Sequence, residues 1–157
     1  MLVVGANLTN TASSLTDGKG YGLGDRFVDD AGKEYVFVQA AAAITGASYV
    51  CYFDTAYAAT MLSTSNDARG NLIGIPLVAF ASGDYGWLQV KGPTTLRVLA
   101  SAAANVRLNS TATAGALDDD GTVGSMQAQG IYLTTANGGS TANVAGVLNY
   151  PFVDVTL

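Results

Sequence analysis

Short β-rich runs, each followed by a cluster of turn residues, recur along most of the chain and constrain its fold more than any other feature. The sequence has 157 residues and 19 glycines. Gly, Asp, Asn and Ser separate the runs, a pattern typical of an all-β sandwich or barrel. The predicted strands are Asp25–Asp29, Glu34–Ala40, Ser48–Phe53, Ile73–Phe80, Gly86–Gly92, Thr94–Ala100, Ile131–Thr135 and Val147–Val155.

The segments between these runs indicate tight turns and little helix. Residues 29–34 read as a hairpin turn in which Gly32 adopts a positive φ, and residues 82–86 form a similar turn. The alanine-rich segments 40–46 and 55–62 are too short for more than one or two helical turns.

The composition of the first twenty residues differs from that of the rest. Residues 1–20 are rich in Thr, Asn, Ser and Gly without strand or helix periodicity, so we expect a loosely held N-terminal arm. Residues 21–157 form a single β-rich domain, as the length favours. The fold class is thus an all-β, small β-sandwich or barrel with short helical turns and an extended N-terminal arm. Pro76 and Pro151 mark edge or bulge positions, because proline donates no ladder hydrogen bond.

The only tryptophan lies on a predicted strand whose residues alternate between two faces. Leu88 and Val90 share one face, while Trp87, Gln89 and Lys91 share the other. Trp87 and Tyr85 are therefore packed beneath a segment of the same chain or buried at a subunit contact, where these residue types are enriched. We take the second alternative, and the candidate subunit interface is Tyr85, Trp87, Gln89 and Lys91.

Side chains with recognisable chemistry are sparse. The chain has no histidine, which removes the commonest general base and the histidine-based nucleophile systems. Eleven aspartates and one glutamate remain, mostly at predicted turns. The glycine-rich segment 18–25 does not match the spacing of a phosphate-binding loop. We predict that the protein is not an enzyme, has no cofactor, and buries Cys51 as an unreactive thiol.

Among all segments of the sequence, the one that most resembles a cation-binding site has three consecutive carboxylates. Asp118, Asp119 and Asp120 precede a glycine turn, and such oxygens can bind Ca²⁺. The consecutive spacing and the absence of a closing glutamate differ from the EF-hand pattern. A solvated acidic loop is the favoured interpretation, and no metal site is assigned.

The net charge of −5 argues against two classes of partner. Phosphate backbones and anionic lipids bind clustered Lys and Arg, and the seven bases of this chain are scattered. We therefore expect neither nucleic acid nor membrane as a partner. The first residues lack the charged and apolar regions of an export signal.

Three segments together resemble the decoration, or cement, proteins of tailed-bacteriophage capsids. They are the turn GDYGW at 83–87, the segment AANVRL with TATAG at 103–115, and ANGGS with LNYP at 136–151. The likeness spans residues 22–153. It implies a β-rich domain that forms a homotrimer on the outer capsid surface, binds the major capsid protein there, and is assembled in the host cytoplasm.

A carbohydrate- or surface-binding β module of a phage fibre or adhesin is the alternative function. In that case Trp87, Tyr85 and Tyr132 would form a stacking platform for sugar rings. A hydrolase that uses two aspartates would require a converging carboxylate pair, which the spacing does not select.

Overall fold

The computed structural model describes residues 2–3, 5–15 and 20–155, which form eleven β-strands and no helix. The strands are β1 (Leu2–Val3), β2 (Arg26–Val28), β3 (Glu34–Ala40), β4 (Cys51–Phe53), β5 (Ala58–Met61), β6 (Leu72–Pro76), β7 (Tyr85–Val98), β8 (Leu108–Ser110), β9 (Leu117–Asp118), β10 (Gln127–Leu133) and β11 (Ala142–Val153). The all-β prediction is confirmed.

Two closed cycles of strand pairing share β7. Strands β3, β5, β4, β6 and β7 pair in that order, and β7 returns to β3. Strands β7, β11, β10, β8 and β9 close a second cycle in the same way. The 14-residue β7 serves both cycles, because its first half pairs with β3 and β6 and its second half with β11. Gly92, with a φ of 96°, lies where the strand passes from one cycle to the other.

The alanine-rich segment 55–62, for which one or two helical turns at most were expected, forms no helix. It contains β5, whose residues Ala59 and Met61 pair with Phe53 and Cys51 of β4. Ala59 is fully buried. Cross-strand packing outweighs the helix propensity of a segment this short, because isolated short helices are marginal in water. Segment 40–46 also contains no helix, and its first residue, Ala40, is the last residue of β3.

Each cycle contributes its own buried cluster. The first cluster contains Val36, Val38, Phe53, Leu88 and Val90. Cys51 lies in it fully buried, and burial raises the pKa of its thiol, which agrees with the predicted unreactive cysteine. The second cluster combines inward residues of β6, β10 and β11 with those of the second half of β7. It includes Ile73, Ile75, Leu96, Val98, Ile131, Leu133 and Leu148.

Gly74 allows β6 to lie close to β7. A Cβ atom at this position would lie 2.7 Å from the Cβ atom of Leu88, nearer than side-chain atoms pack. Its neighbours Ile73 and Ile75 point away, into the second cluster. Glycine at this position therefore lets one strand face both clusters.

The two prolines occupy different kinds of position. Pro76 is the last residue of β6, a strand that is hydrogen-bonded to neighbours on both sides and is not an edge. Pro151 lies in a bulge of β11, as predicted. Opposite the single residue Gly130 of β10, β11 has the three residues 149–151. Tyr150 has a φ of 49° there, an uncommon conformation for a bulky side chain.

Candidate interaction surface

Trp87 lies in an aromatic cluster on the outer face of β3 and β7. It is 1% exposed and pairs across the strands with Phe37. Its ring centroid lies 5.1 Å from that of Phe37, 5.2 Å from that of Tyr21 and 6.2 Å from that of Phe27. The Trp87 indole is therefore covered by residues of the same chain.

Part of that cover comes from the N-terminal arm, residues 1–20, which we call the leader. Ala6 and Leu8 are partly buried against the aromatic cluster. Ala12 is buried and forms an antiparallel bridge with Tyr85. The Ala12 N–H donates to the Tyr85 carbonyl at 2.9 Å, and the Tyr85 N–H donates to the Ala12 carbonyl at 2.8 Å. Ala6, Leu8 and Ala12 of the predicted N-terminal arm thus contact the domain. Met1, Val4 and residues 16–19 lie outside the described residues.

The four predicted interface residues divide into two pairs. Trp87 and Gln89 are buried in this chain, and the Gln89 amide donates to the carbonyls of Lys91 and Pro93 at 3.0 Å each. Tyr85 and Lys91 are half-buried. For Trp87 the structure shows the first of the two alternatives, cover by the same chain.

The sugar-stacking platform of the alternative function is not assembled. Trp87 is buried, so it cannot stack on a ligand from solution, while Tyr132 is 43% exposed on β10. The three aromatic side chains therefore do not share one open face.

Lys91 stands in a polar group that joins three strands. Its ammonium donates to the Glu34 carboxylate at 2.8 Å and lies 5.4 Å from the centroid of the Tyr150 ring. Hydrogen bonds from Lys91 and Tyr150 lower the pKa of Glu34, and the bond to Glu34 raises the pKa of Lys91. The group links Glu34 of β3, Lys91 of β7 and Tyr150 of β11.

An exposed apolar patch begins beside this group. Leu72 of β6 and Phe152 of β11 are direct cross-strand partners, and each is 39% exposed. Tyr150, which is 41% exposed, lines a small cleft together with Leu72 and Arg26. We call Leu72, Tyr150 and Phe152 the β6–β11 patch.

Sequence reasoning missed this patch because of the bulge in β11. Strict alternation would place Leu148, Tyr150 and Phe152 on one face. In the structure Leu148 is buried, whereas Tyr150 and Phe152 are exposed and Pro151 is buried between them. The bulge reverses the faces, and Pro151 is the only local signal of it.

Charged side chains of both signs lie beside the β6–β11 patch. Arg26 is exposed at the cleft, and Lys91 lies beside Tyr150. Arg69, whose side chain is 69% exposed, forms an ion pair of 3.4 Å with Asp154, two residues beyond Phe152. Three carboxylates lie at the same surface, since Glu34 and Asp154 pair with Lys91 and Arg69 and the exposed Asp54 lines a cleft with Leu72.

The acidic segment begins at Asp118, the last residue of β9, and continues into the loop that follows. Asp118 is half-buried, and its pKa is raised by burial first and by the neighbouring Asp119 and Asp120 in addition. No group of three or more His, Cys, Asp or Glu side chains in the described part of the chain could hold a metal ion.

A buried carboxylate–hydroxyl pair lies elsewhere in the second cycle. The Ser110 hydroxyl donates to the Asp67 carboxylate and accepts a bond of 2.9 Å from the Met126 N–H. Asp67 and Ser110 are both buried. Their bonds join β8 to the loop before β6 and to the start of β10.

Comparison with known proteins adds no relative to these observations. Neither a family model, nor a curated protein, nor a solved structure matches the chain. Over the residues described, no helix is long and apolar enough to cross a membrane.

Proposed function

We propose that this chain is a structural virion protein, which decorates and stabilises the capsid of a tailed bacteriophage. It binds the outer surface of major capsid subunits as a homotrimer, after assembly in the host cytoplasm. The observation that carries the proposal is the β6–β11 patch, an apolar surface that the fold leaves partly exposed although 29 hydrophobic residues are buried in the described part of the chain. Exposed apolar patches on small proteins mark contacts with other proteins.

The remainder of the fold suits a bracing role. Both cycles of strands are closed around buried clusters, so the surface is presented by a rigid scaffold. The net charge of −5 suits an outer-surface protein that does not contact packaged nucleic acid. The resemblance over residues 22–153 supports the same role.

Stabilisation would come from surface burial repeated over a closed shell. Each buried Å² of apolar surface contributes about 25 cal/mol, and each contact must first offset the entropy lost on binding. A modest contact made by every copy therefore adds up to a large stabilisation of the particle.

Cosedimentation tests the proposal. Capsids assembled from the major capsid protein of the same genome are mixed with the purified chain and pelleted. We expect the chain to enter the pellet and to saturate at a fixed ratio to capsid subunits. A chain that stays in the supernatant at its highest soluble concentration contradicts the proposal.

A further inference from the structure

We propose that the guanidinium of Arg97 binds a carboxylate side chain of the protein partner, at a site on the outer face of β7 and β11. The inference deepens the proposed function and rests on it for the existence of a protein partner. It adds a second contact to that of the β6–β11 patch and names the chemical group that this contact recognises.

Arg97 is stacked on an aromatic ring but has no polar partner. Its guanidinium carbon lies 4.7 Å from the centroid of the Tyr49 ring. Within the described residues, the side chain forms neither an ion pair nor a hydrogen bond. The Nε atom is buried without an acceptor, whereas Nη1 and Nη2 reach the surface of this half-buried residue. The N–H donors of the guanidinium are therefore all unused.

A purely stabilising role does not account for an arginine at this position. A donor that is buried without an acceptor lowers the stability of a fold, and such groups are rare. The unpaired Nε therefore offsets part of what the stack on Tyr49 contributes. Arginine is retained in such places where a planar, two-pronged donor recognises an oxyanion.

The Tyr49 ring gives the guanidinium a fixed support. A Cβ atom at Gly115 would lie 2.5 Å from the Cδ1 atom of this ring, so the ring packs directly against the glycine backbone. Tyr49 is also partly buried against the first cluster. A guanidinium that is already held in one plane loses less conformational entropy when a ligand binds.

Further hydrogen-bonding groups flank Arg97 on the same face of the sheet. Asn143 of β11 is its direct cross-strand partner and is exposed, and side chains in such pairs are close neighbours. Thr95 precedes Arg97 by two residues, so it shares that face. Its hydroxyl is hydrogen-bonded to that of Ser48, and one hydroxyl of this pair keeps a proton to donate. A carboxylate on Arg97 thus has additional donors beside it.

The carboxylate nearest in the strand pairing does not neutralise Arg97. Asp118 ends β9, the strand that pairs with β7 one residue beyond Arg97. The pKa of Asp118 is raised by burial first and by Asp119 and Asp120 in addition, whereas pairing with a guanidinium would lower that pKa. The positive charge of Arg97 therefore stays available to a group from another molecule.

The geometry of the guanidinium selects a carboxylate. Tyr49 covers one face of the plane, and the buried Nε excludes an approach from that edge. The end formed by Nη1 and Nη2 remains, and its two donors match the two oxygens of a carboxylate. Aspartate and glutamate are the side chains by which a protein partner offers this group.

The Arg97 site and the β6–β11 patch lie far apart on one rigid domain. Asn143, beside Arg97, and Phe152 of the patch belong to the same strand, β11. At about 3.3 Å per residue, the strand separates them by about 30 Å. Two contacts at this distance bind a shell more tightly than either alone, because the second forms within the same complex.

Acetate titration of the full chain tests the site itself. The Nε–H signal of Arg97 in a ¹H–¹⁵N spectrum is identified by its loss in Arg97→Lys. We expect sodium acetate to shift this signal weakly but saturably, since the aspartates after β9 repel a free anion, and sodium chloride of equal ionic strength to leave it in place. The Nε–H signal of the exposed Arg107 is the internal control and should show no saturable shift.

Cosedimentation with empty capsids tests the contact with the protein partner. Empty shells contain no packaged DNA, so phosphate groups cannot replace the carboxylate. We expect Arg97→Gln to raise the dissociation constant at least about tenfold. Arg97→Lys should also raise it, because lysine keeps the charge but lacks the planar fork. Arg107→Gln is the matched control and should bind as the wild type, and circular dichroism shows whether each variant is folded.

Two results would overturn the inference. One is an Arg97 signal that acetate shifts no more than chloride does. The other is a folded Arg97→Gln variant that binds capsids as tightly as the wild type; the proposed function then stands and only this contact is lost. A wild-type chain that does not pellet with capsids contradicts the proposed function itself and removes the partner on which the inference rests.

Discussion

Trp87 lies edge-on to Tyr21, with the ring centroids 5.2 Å apart and the ring planes at 72°. Tyr21 directly follows the leader, and Ala6 and Leu8 of the leader contact the same aromatic cluster. The indole thus joins the start of the chain to the sheet formed by β3 and β7. Its burial is a property of the single chain.

Replacing this indole should cost much of the stability of the fold. We expect Trp87→Ala to lower the free energy of unfolding by about 3 to 5 kcal/mol, because it leaves a large cavity in a buried cluster. Urea unfolding followed by circular dichroism measures the change. Tyr132→Ala, at a side chain that is 43% exposed, is the matched control and should change it by about 0.5 kcal/mol or less. Equal effects of the two variants would refute the packing described for Trp87.

The bridge between Ala12 and Tyr85 should hold the leader on the domain. Ala12→Pro removes the N–H that donates to the Tyr85 carbonyl at 2.9 Å. We expect faster hydrogen exchange at the Tyr85 amide and stronger acrylamide quenching of Trp87 fluorescence. Ala12→Ser keeps the donor and should behave as the wild type. Unchanged quenching in Ala12→Pro would show that the leader does not protect the indole.

Tyr35 should make stability depend on alkaline pH. Burial, followed by the nearby Asp29 carboxylate, raises the pKa of Tyr35 from its usual 10.0 to about 12. The folded chain then keeps a proton that the unfolded chain releases, so the contribution is complete below pH 10 and is lost as the pH rises to about 12. The expected loss is about 2 to 3 kcal/mol.

Unfolding of the wild type and of Tyr35→Phe at pH 8 and near pH 11 measures about half of this loss, because pH 11 lies midway between the two pKa values. The variant lacks the phenol and should lose less stability between the two pH values. It also lacks the 3.1 Å hydrogen bond to Asp29, so the comparison is made within each protein across pH. Parallel losses in both proteins would assign the alkaline sensitivity to other groups.

Gly74 should tolerate no side chain. In Gly74→Ala the new methyl group would lie 2.7 Å from the Leu88 Cβ atom, and we expect a loss of about 1 to 3 kcal/mol from overpacking. Gly138→Ala is the control, because a Cβ atom there has no neighbour within 4 Å and its φ is not positive. Thermal unfolding of both variants gives the comparison. A midpoint for Gly74→Ala as high as that of the control would exclude the close approach of β6 to β7.

The sequence pattern was sufficient to predict the strands whose bounds depend on local residues. Strand β3 has the predicted bounds, Glu34–Ala40, and Gly32 has a φ of 76° in the predicted turn before it. Alternation and turn chemistry are local properties, and they decide these elements.

Elements that depend on distant partners could not be predicted in this way. Strand β5 exists because β4 and β3 pair with it, although its alanines favour helix. The two predicted runs 86–92 and 94–100 are one strand, since β11 pairs along residues 91–98 despite Pro93. The β6–β11 patch depends on a bulge that reverses two side chains, and a period of two residues cannot show it.

The thermal stability of capsids with and without this chain tests the central claim most directly. The claim is that the protein acts by covering capsid surface. DNA release from filled capsids, followed by a fluorescent dye during heating, gives the temperature at which the shell fails. We predict a higher release temperature with saturating wild-type chain, and no increase with chain that has been heat-denatured beforehand. An unchanged release temperature at saturating binding would contradict the account.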